Sequence, residues 1–169
     1  MATSLYDFTV PAFTAALTNL SAQLDKAAAH CEQKQVDGKQ LTGSRLIADM
    51  LPFTSQVQIA CDTAKGAVAR LTGIEPPKHE DTETTLPELK ARIVKTLDFI
   101  RTVKPEQFGG AETREVTLKF PSITLTFNGK DYLTKFALPN FYFHTTTAYA
   151  ILRKNGVGLG KADYLGAIQ

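Results

Sequence analysis

From Pro139 to Gly160 the chain reads PNFYFHTTTAYAILRKNGVGLG, and this run constrains the fold more than any other. Pro139 is expected to open a helix, since proline fits a first turn whose amides have no partner, and Asn155-Gly156 closes it after about Lys154. Between them Phe141, Phe143, Ala148, Ala150, Ile151 and Leu152 leave almost no polar face. A helix apolar on nearly every side must be buried on most of them, so it is predicted to be the inner member of a bundle. His144, with Tyr142 and Tyr149, is the polar exception, and such a group inside a bundle is where a site would be built.

Further helices follow from apolar periodicity. Phe13, Leu17, Leu20, Leu24, Ala27 and Cys31 recur at steps of four and three and draw one stripe down a cylinder, with Pro11 near its start. Val57, Ala60 or Cys61, Ala64, Val68 and Leu71 form a second stripe, closed by Gly73 and then Pro76-Pro77. Upstream, Thr42-Gly43-Ser44 is expected to cap a shorter helical turn running to Met50 and broken at Pro52. The clearest start is Thr85-Leu86-Pro87-Glu88, where a capping hydroxyl and a glutamate three residues on satisfy two orphan amides reciprocally. Leu86, Leu89, Ile93, Leu97 and Ile100 carry that stripe toward Pro105, while HEDTET before it is polar and expected to be solvated.

From Arg114 the apolar period shortens from about 3.6 to about 2. Val116, Leu118 and Phe120 alternate with polar residues, as do Ile123, Leu125 and Phe127, and Asn128-Gly129 leads into Tyr132, Thr134 and Phe136. Asn-Gly supplies the positive φ angles of a tight turn, which predicts a hairpin pairing 122–127 with 130–136. Pro121 then limits any third strand to an edge. The expectation is a mainly α chain, one domain over 1–169, built as a four-helix bundle with a β-hairpin before the last helix.

Charge and motif content exclude several functions. Lys and Arg total 19 against 17 acidic residues, a net charge of +2, and they are scattered, so no stripe exists to track nucleic acid phosphates. No window approaches a membrane span and neither end carries an address, which predicts a cytoplasmic protein. Cys31 and Cys61 sit at apolar helix positions, where a small buried thiol is the default. Gly-x-Ser-x-Gly, His-Glu-x-x-His, Cys-x-x-Cys and Rossmann patterns do not occur. The glycines from Gly156 to Gly160 follow a helix and lack a Ser or Thr after Lys161, so they read as a helix terminator and not as a phosphate loop. Lys161-Ala-Asp163-Tyr164 is expected to fold back on the bundle.

His144 has three readings: a core histidine bonded to a neighbouring hydroxyl or carbonyl, one wall of a polar pocket with Asn140, Gln58, Asp62 and Tyr149, or a ligand in a metal centre. Gln58, Asp62 and Lys65 share one flank of the second helix, as a ligand-binding strip or, more plainly, as a solvated face with one ion pair. His30 and His79 are expected at the surface.

The runs DMLPFTSQVQIACDTAKGAVARLTG, LPELKARIVKTLDFI and ALPNFYFHTTTAYAILRKNGVGLGKADYLG resemble the domain-of-unknown-function family nineteen-ninety-three. That resemblance covers nearly the whole chain and implies membership of the DinB/YfiT-like superfamily of up-down-down-up four-helix bundles. Many members of that superfamily are metal-dependent thiol transferases or presumed metalloenzymes. Their metal is held by three histidines, one on the second helix and two a turn apart on the last. Aligning Leu152, Arg153 and Gly156 with the close of the last helix puts His144 on one ligand position and Asn140 on its partner. Gln58 or Gln56 falls near the third, with Asp62 one turn beyond Gln58. Amide oxygens are poor donors for zinc or nickel, so no metal or other cofactor is expected, with His144 the only candidate ligand. The first expectation is therefore a bundle that keeps a degenerate metal pocket around His144 and binds a small polar ligand. A metal-dependent thiol transferase-like enzyme is the alternative, and a homodimeric interaction module is the third reading.

Overall fold

The computed structural model describes residues 4–167. Four long helices, α1 (Val10–Lys34), α3 (Phe53–Thr72), α4 (Leu86–Thr102) and α6 (Leu138–Lys154), carry the apolar stripes, with α2 (Gly38–Thr42) between the first two. The ladder β1 (Glu115–Lys119) and β2 (Thr124–Asn128), the turn α5 (Gly129–Asp131) and the closing α7 (Lys161–Leu165) follow, with short 3-10 turns at Leu5–Phe8 and Pro105–Phe108 and a π-helical turn at Tyr132–Ala137. Helix α3 packs on α6 and α4, α1 packs on α4 and α6, and α7 lies on α1. No helix among the described residues is long and apolar enough to cross a membrane.

The stripes read from periodicity form the core. Phe13, Leu17, Leu20, Leu24 and Ala27 of α1, Val57, Ala60, Cys61, Ala64, Val68 and Leu71 of α3, and Leu86, Leu89, Ile93, Leu97 and Ile100 of α4 are all buried. At the start of α4 the reciprocal cap forms, the Glu88 carboxylate accepting from the Thr85 amide at 2.9 Å while Thr85 Oγ1 accepts from the Glu88 amide. Gly73 ends α3 at φ +77°, a conformation that favours glycine. The segment 38–42, and not 44–50, is helical, because Asp37 caps it by accepting from the Lys39 amide.

Residues 73–85 then cross back along the bundle. Thr42 Oγ1 donates to the Thr84 carbonyl at 2.9 Å, and Thr54 Oγ1 donates to the Thr42 carbonyl at 3.1 Å, so α4 begins beside the beginning of α3.

The hairpin is displaced from its expected position. The two alternating runs pair with each other, Glu115 opposite Asn128 and Lys119 opposite Thr124, around a turn at 120–123 that contains Pro121. Asn128 instead caps a helix, its Oδ1 accepting from the Asp131 amide at 2.8 Å. Gly129 does not adopt a positive φ. Its missing side chain serves close packing, since a Cβ there would collide with the Ala111 carbonyl oxygen. Residues 130–136 are helical, not a strand.

Pro139 falls in the first turn of α6, as expected, but it does not begin the helical run. The chain is already helical from Gly129 and passes through a π-helical turn, Tyr132–Ala137, before α6. A proline inside a helix clashes with the carbonyl four residues earlier, and the wider turn just before Pro139 accommodates that clash. Helix α6 is also less enclosed than its composition suggests. Phe141 is fully buried, its ring edge-on to Phe13 at 4.7 Å, but Phe143 is 55% exposed. We expect Phe141→Ala to cost roughly 3–5 kcal/mol in urea melts through lost transfer energy and a cavity, and Phe143→Ala to cost less than about 1 kcal/mol. Equal costs would contradict this packing.

Candidate functional site

Helices α3 and α6 meet along a polar seam. Asn140 Nδ2 donates to Thr63 Oγ1 at 2.8 Å, and one α6 turn further on His144 Nδ1 lies 2.7 Å from Gln56 Oε1. Gln56 Nε2 donates to the Leu51 carbonyl at 2.9 Å, which turns its oxygen toward the imidazole. His144 Nδ1 therefore carries the hydrogen and donates it. Burial lowers the His144 pKa, so the ring is held neutral. Gln56, not Gln58, is the α3 amide that meets the last helix.

The three-histidine metal site implied by the resemblance does not fit these residues. Asn140 and His144 are each bonded across to a neutral group on α3, and among the described residues no cluster of three His, Cys, Asp or Glu side chains could hold a metal ion.

Gln58, Asp62 and Lys65 do not form a solvated face. Gln58 and Lys65 are buried, and the flank they share with Asp62 turns toward α4, where it meets Arg92. Arg92 is 1% exposed. Its Nη2 donates to Asp62 at 2.8 Å, and its Nη1 donates to the Glu80 carbonyl at 3.0 Å and lies 2.9 Å from Asp81 and 3.2 Å from Glu83. Gln58 Nε2 donates to the Glu83 carboxylate at 3.0 Å. Burial opposes a charge on Glu83, but bonds from Gln58, its own backbone and Arg92 outweigh that and hold its pKa below the ordinary value. The acidic crossover expected to be solvated is thus anchored by one buried guanidinium. His79 also turns inward from the surface position expected of it. Burial, Lys65 and Arg92 lower its pKa.

Tyr149 stands apart from the other four expected pocket residues. It faces α7, its ring edge-on to Tyr164 at 5.8 Å, half a helical turn around from Asn140. There α7 folds back as expected, with Lys26 paired to Asp163 at 2.6 Å and Asn19 Nδ2 donating to the Tyr164 carbonyl. Cys61 offers no nucleophile, because burial pushes its thiol up to about 12 despite Thr96 and Arg92.

Asn140 and Asp62, of the expected set, do line a cleft. It measures about 280 Å³ and lies between α3, the hairpin and the π-helical turn, with Thr63 and Arg70 from α3, Lys119 from β1, and Tyr132 and Phe136 from the turn. Arg70 Nη1 donates to Tyr132 Oη at 3.2 Å, and its guanidinium sits 5.9 Å from that ring. Neither residue stands out by spacing. The nearest signal was the pair of aromatics, Tyr132 and Phe136, one turn apart upstream of Pro139.

Two measurements probe this architecture. Arg92→Met should cost about 3 kcal/mol or more in urea melts, because it strands Glu83 while Asp62 and Asp81 keep some access to water. A loss under about 1 kcal/mol would make the network incidental. His144, with a folded pKa below its unfolded one, contributes stability that is present above about pH 6.5 and lost as pH falls through the folded value. The melting temperature should therefore drop between about pH 7 and pH 5.5, less steeply in His144→Gln, with the residual slope shared by His79. Identical slopes would remove His144 from the account.

The family model described as Domain of unknown function (DUF1993) matches residues 5–165. The crystal structure of a DinB family member protein from Shewanella denitrificans is similar to this chain with a TM-score of 0.89 and 48% identity, over 97% of this chain and 93% of that one. No curated protein matches the sequence. With 161 consecutive residues under one model and a DinB family structure alike over nearly its whole length, the chain belongs to the DUF1993 family and to the DinB-like superfamily.

Proposed function

We propose that this protein binds a small polar organic ligand beside the α3–α6 seam, without a transition metal. Its frame is read as the up-down-down-up bundle of one domain, supported by the crossover that returns α4 to the start of α3. The observation that carries the proposal is the pairing of Asn140 with Thr63 and His144 with Gln56. Where the superfamily places imidazoles, this chain has cross-helix hydrogen bonds between neutral groups, and a cleft with both polar and aromatic walls opens next to Asn140. Such a wall suits recognition of an organic molecule better than coordination of an ion. In this reading the pocket keeps Asn140 and Asp62, His144 braces the seam one turn further on, and Gln58 and Tyr149 serve other contacts. Two buried free thiols, Cys31 and Cys61, suit a reducing cytoplasm.

Purified protein should carry far less than one zinc, nickel or iron per chain, and zinc should not raise its melting temperature, since an ion that does not bind the folded state cannot stabilise it. Screening polar organic fragments by NMR should shift the backbone amides of Thr63, Leu118, Phe136 and Asn140. One metal per chain that disappears in His144→Ala would restore the thiol transferase-like alternative. Fragment shifts confined to other surfaces would remove the cleft.

A further inference from the structure

We propose that the cleft selects a carboxylate carried on a flat apolar body, gripped by Arg70 and the Tyr132 hydroxyl; this rests on the cleft being the binding site. Tyr132 is 1% exposed, so its hydroxyl cannot rely on bulk water. The oxygen accepts from Arg70 Nη1, yet its own proton reaches no acceptor among the described residues. A buried donor left in this way favours a ligand that brings an acceptor.

The charges around it define which acceptor. Arg70 makes no ion pair among the described residues, and neither does Lys119 across the cleft. The only carboxylate among the described residues of the wall, Asp62, is already engaged by Arg92 at 2.8 Å and Lys65 at 3.0 Å. Two uncommitted cations against one neutralised acid leave a site short of negative charge. The planar fork of a guanidinium matches a carboxylate with two parallel bonds, one of them reinforced by the phenol beside it.

The remaining wall defines the rest of the molecule. Phe136 stacks on Tyr132 with the ring planes 19° apart, Phe120 lies 6.1 Å from Phe136, and Leu118 adds an aliphatic side chain to the lining. Flat aromatic faces pack best against a flat apolar group. Asn140, whose amide group donates to Thr63, keeps its carbonyl oxygen as a single point of polar recognition beyond the ring. A bare phosphate would use the cations but leave the aromatic wall without a partner.

The test is an NMR titration of the full chain with benzoate, with benzamide as its neutral isostere, and with inorganic phosphate, following the Thr63 and Leu118 amides. Benzoate should bind about ten-fold or more tightly than benzamide, and more tightly than phosphate. Arg70→Gln and Tyr132→Phe, each checked for an unchanged fold by its spectrum, should weaken benzoate about five-fold or more while leaving benzamide unaltered. Equal affinity for benzoate and benzamide would overturn the carboxylate assignment and leave the binding cleft standing. Benzoate affinity untouched by both variants, or phosphate binding as well as benzoate, would also overturn it. If neither aromatic probe binds while other fragments still shift the cleft amides, this inference alone fails; if no probe or fragment shifts them, both readings fail.

Discussion

The guanidinium of Arg92 connects more of this molecule than any other group. It lies on α4, it is almost wholly buried, and its bonds reach Asp62 on α3 together with Glu80, Asp81 and Glu83 of the crossover. A charge taken out of water is tolerated when most of its donors are matched, and here three carboxylates and a carbonyl meet the two Nη groups, while Nε has no partner among the described residues. The consequence is topological. The crossover 73–85 contains two prolines, a run of polar residues and little that is apolar, so no hydrophobic stripe can lay it along the bundle. An ionic anchor does so, and it lets α4 start beside the start of α3.

Along the opposite side of α3 the polar contacts are neutral. Asn140 with Thr63 and His144 with Gln56 are single hydrogen bonds between long helices, and the second, which is buried, leaves unpaired groups if the helices slide by a turn. They hold the register of α3 against α6 in the place where the superfamily resemblance implies a metal. The same seam widens toward the π-helical turn, where Tyr132, still part of the core, and Phe136 pack against Phe127 of the hairpin. The wider turn thus both relieves Pro139 and aims two aromatic rings at the cleft.

Local patterns were a reliable guide wherever one residue's neighbours along the chain decide its state. The stripes of α1, α3 and α4, the capping pair of Thr85 and Glu88, and Gly73 at the end of α3 all follow from spacings of three or four residues and from simple stereochemistry. The hairpin shows the limit. Alternation correctly marked 116–120 and 123–127, but Asn128-Gly129 has two uses, a tight turn or a helix cap with close packing, and only the Ala111 backbone lying against Gly129 selects the second. Phe141 and Phe143 are likewise alike in composition, and the helix opposite decides which is buried.

The candidate site divides in the same way. At the positions where the resemblance implies three histidines, the sequence already shows Asn140 and an α3 glutamine beside His144. Which glutamine meets His144, why Asp62 belongs to Arg92, and why Tyr149 faces α7 depend on helix rotation and on contacts between residues 88, 30 and 15 positions apart. Arg70 and Tyr132 are 62 residues apart and share no motif, so their meeting exists only in the folded chain. Periodicity determines which face of a helix is apolar; the packing of one helix on another determines which polar side chains are brought within bonding distance.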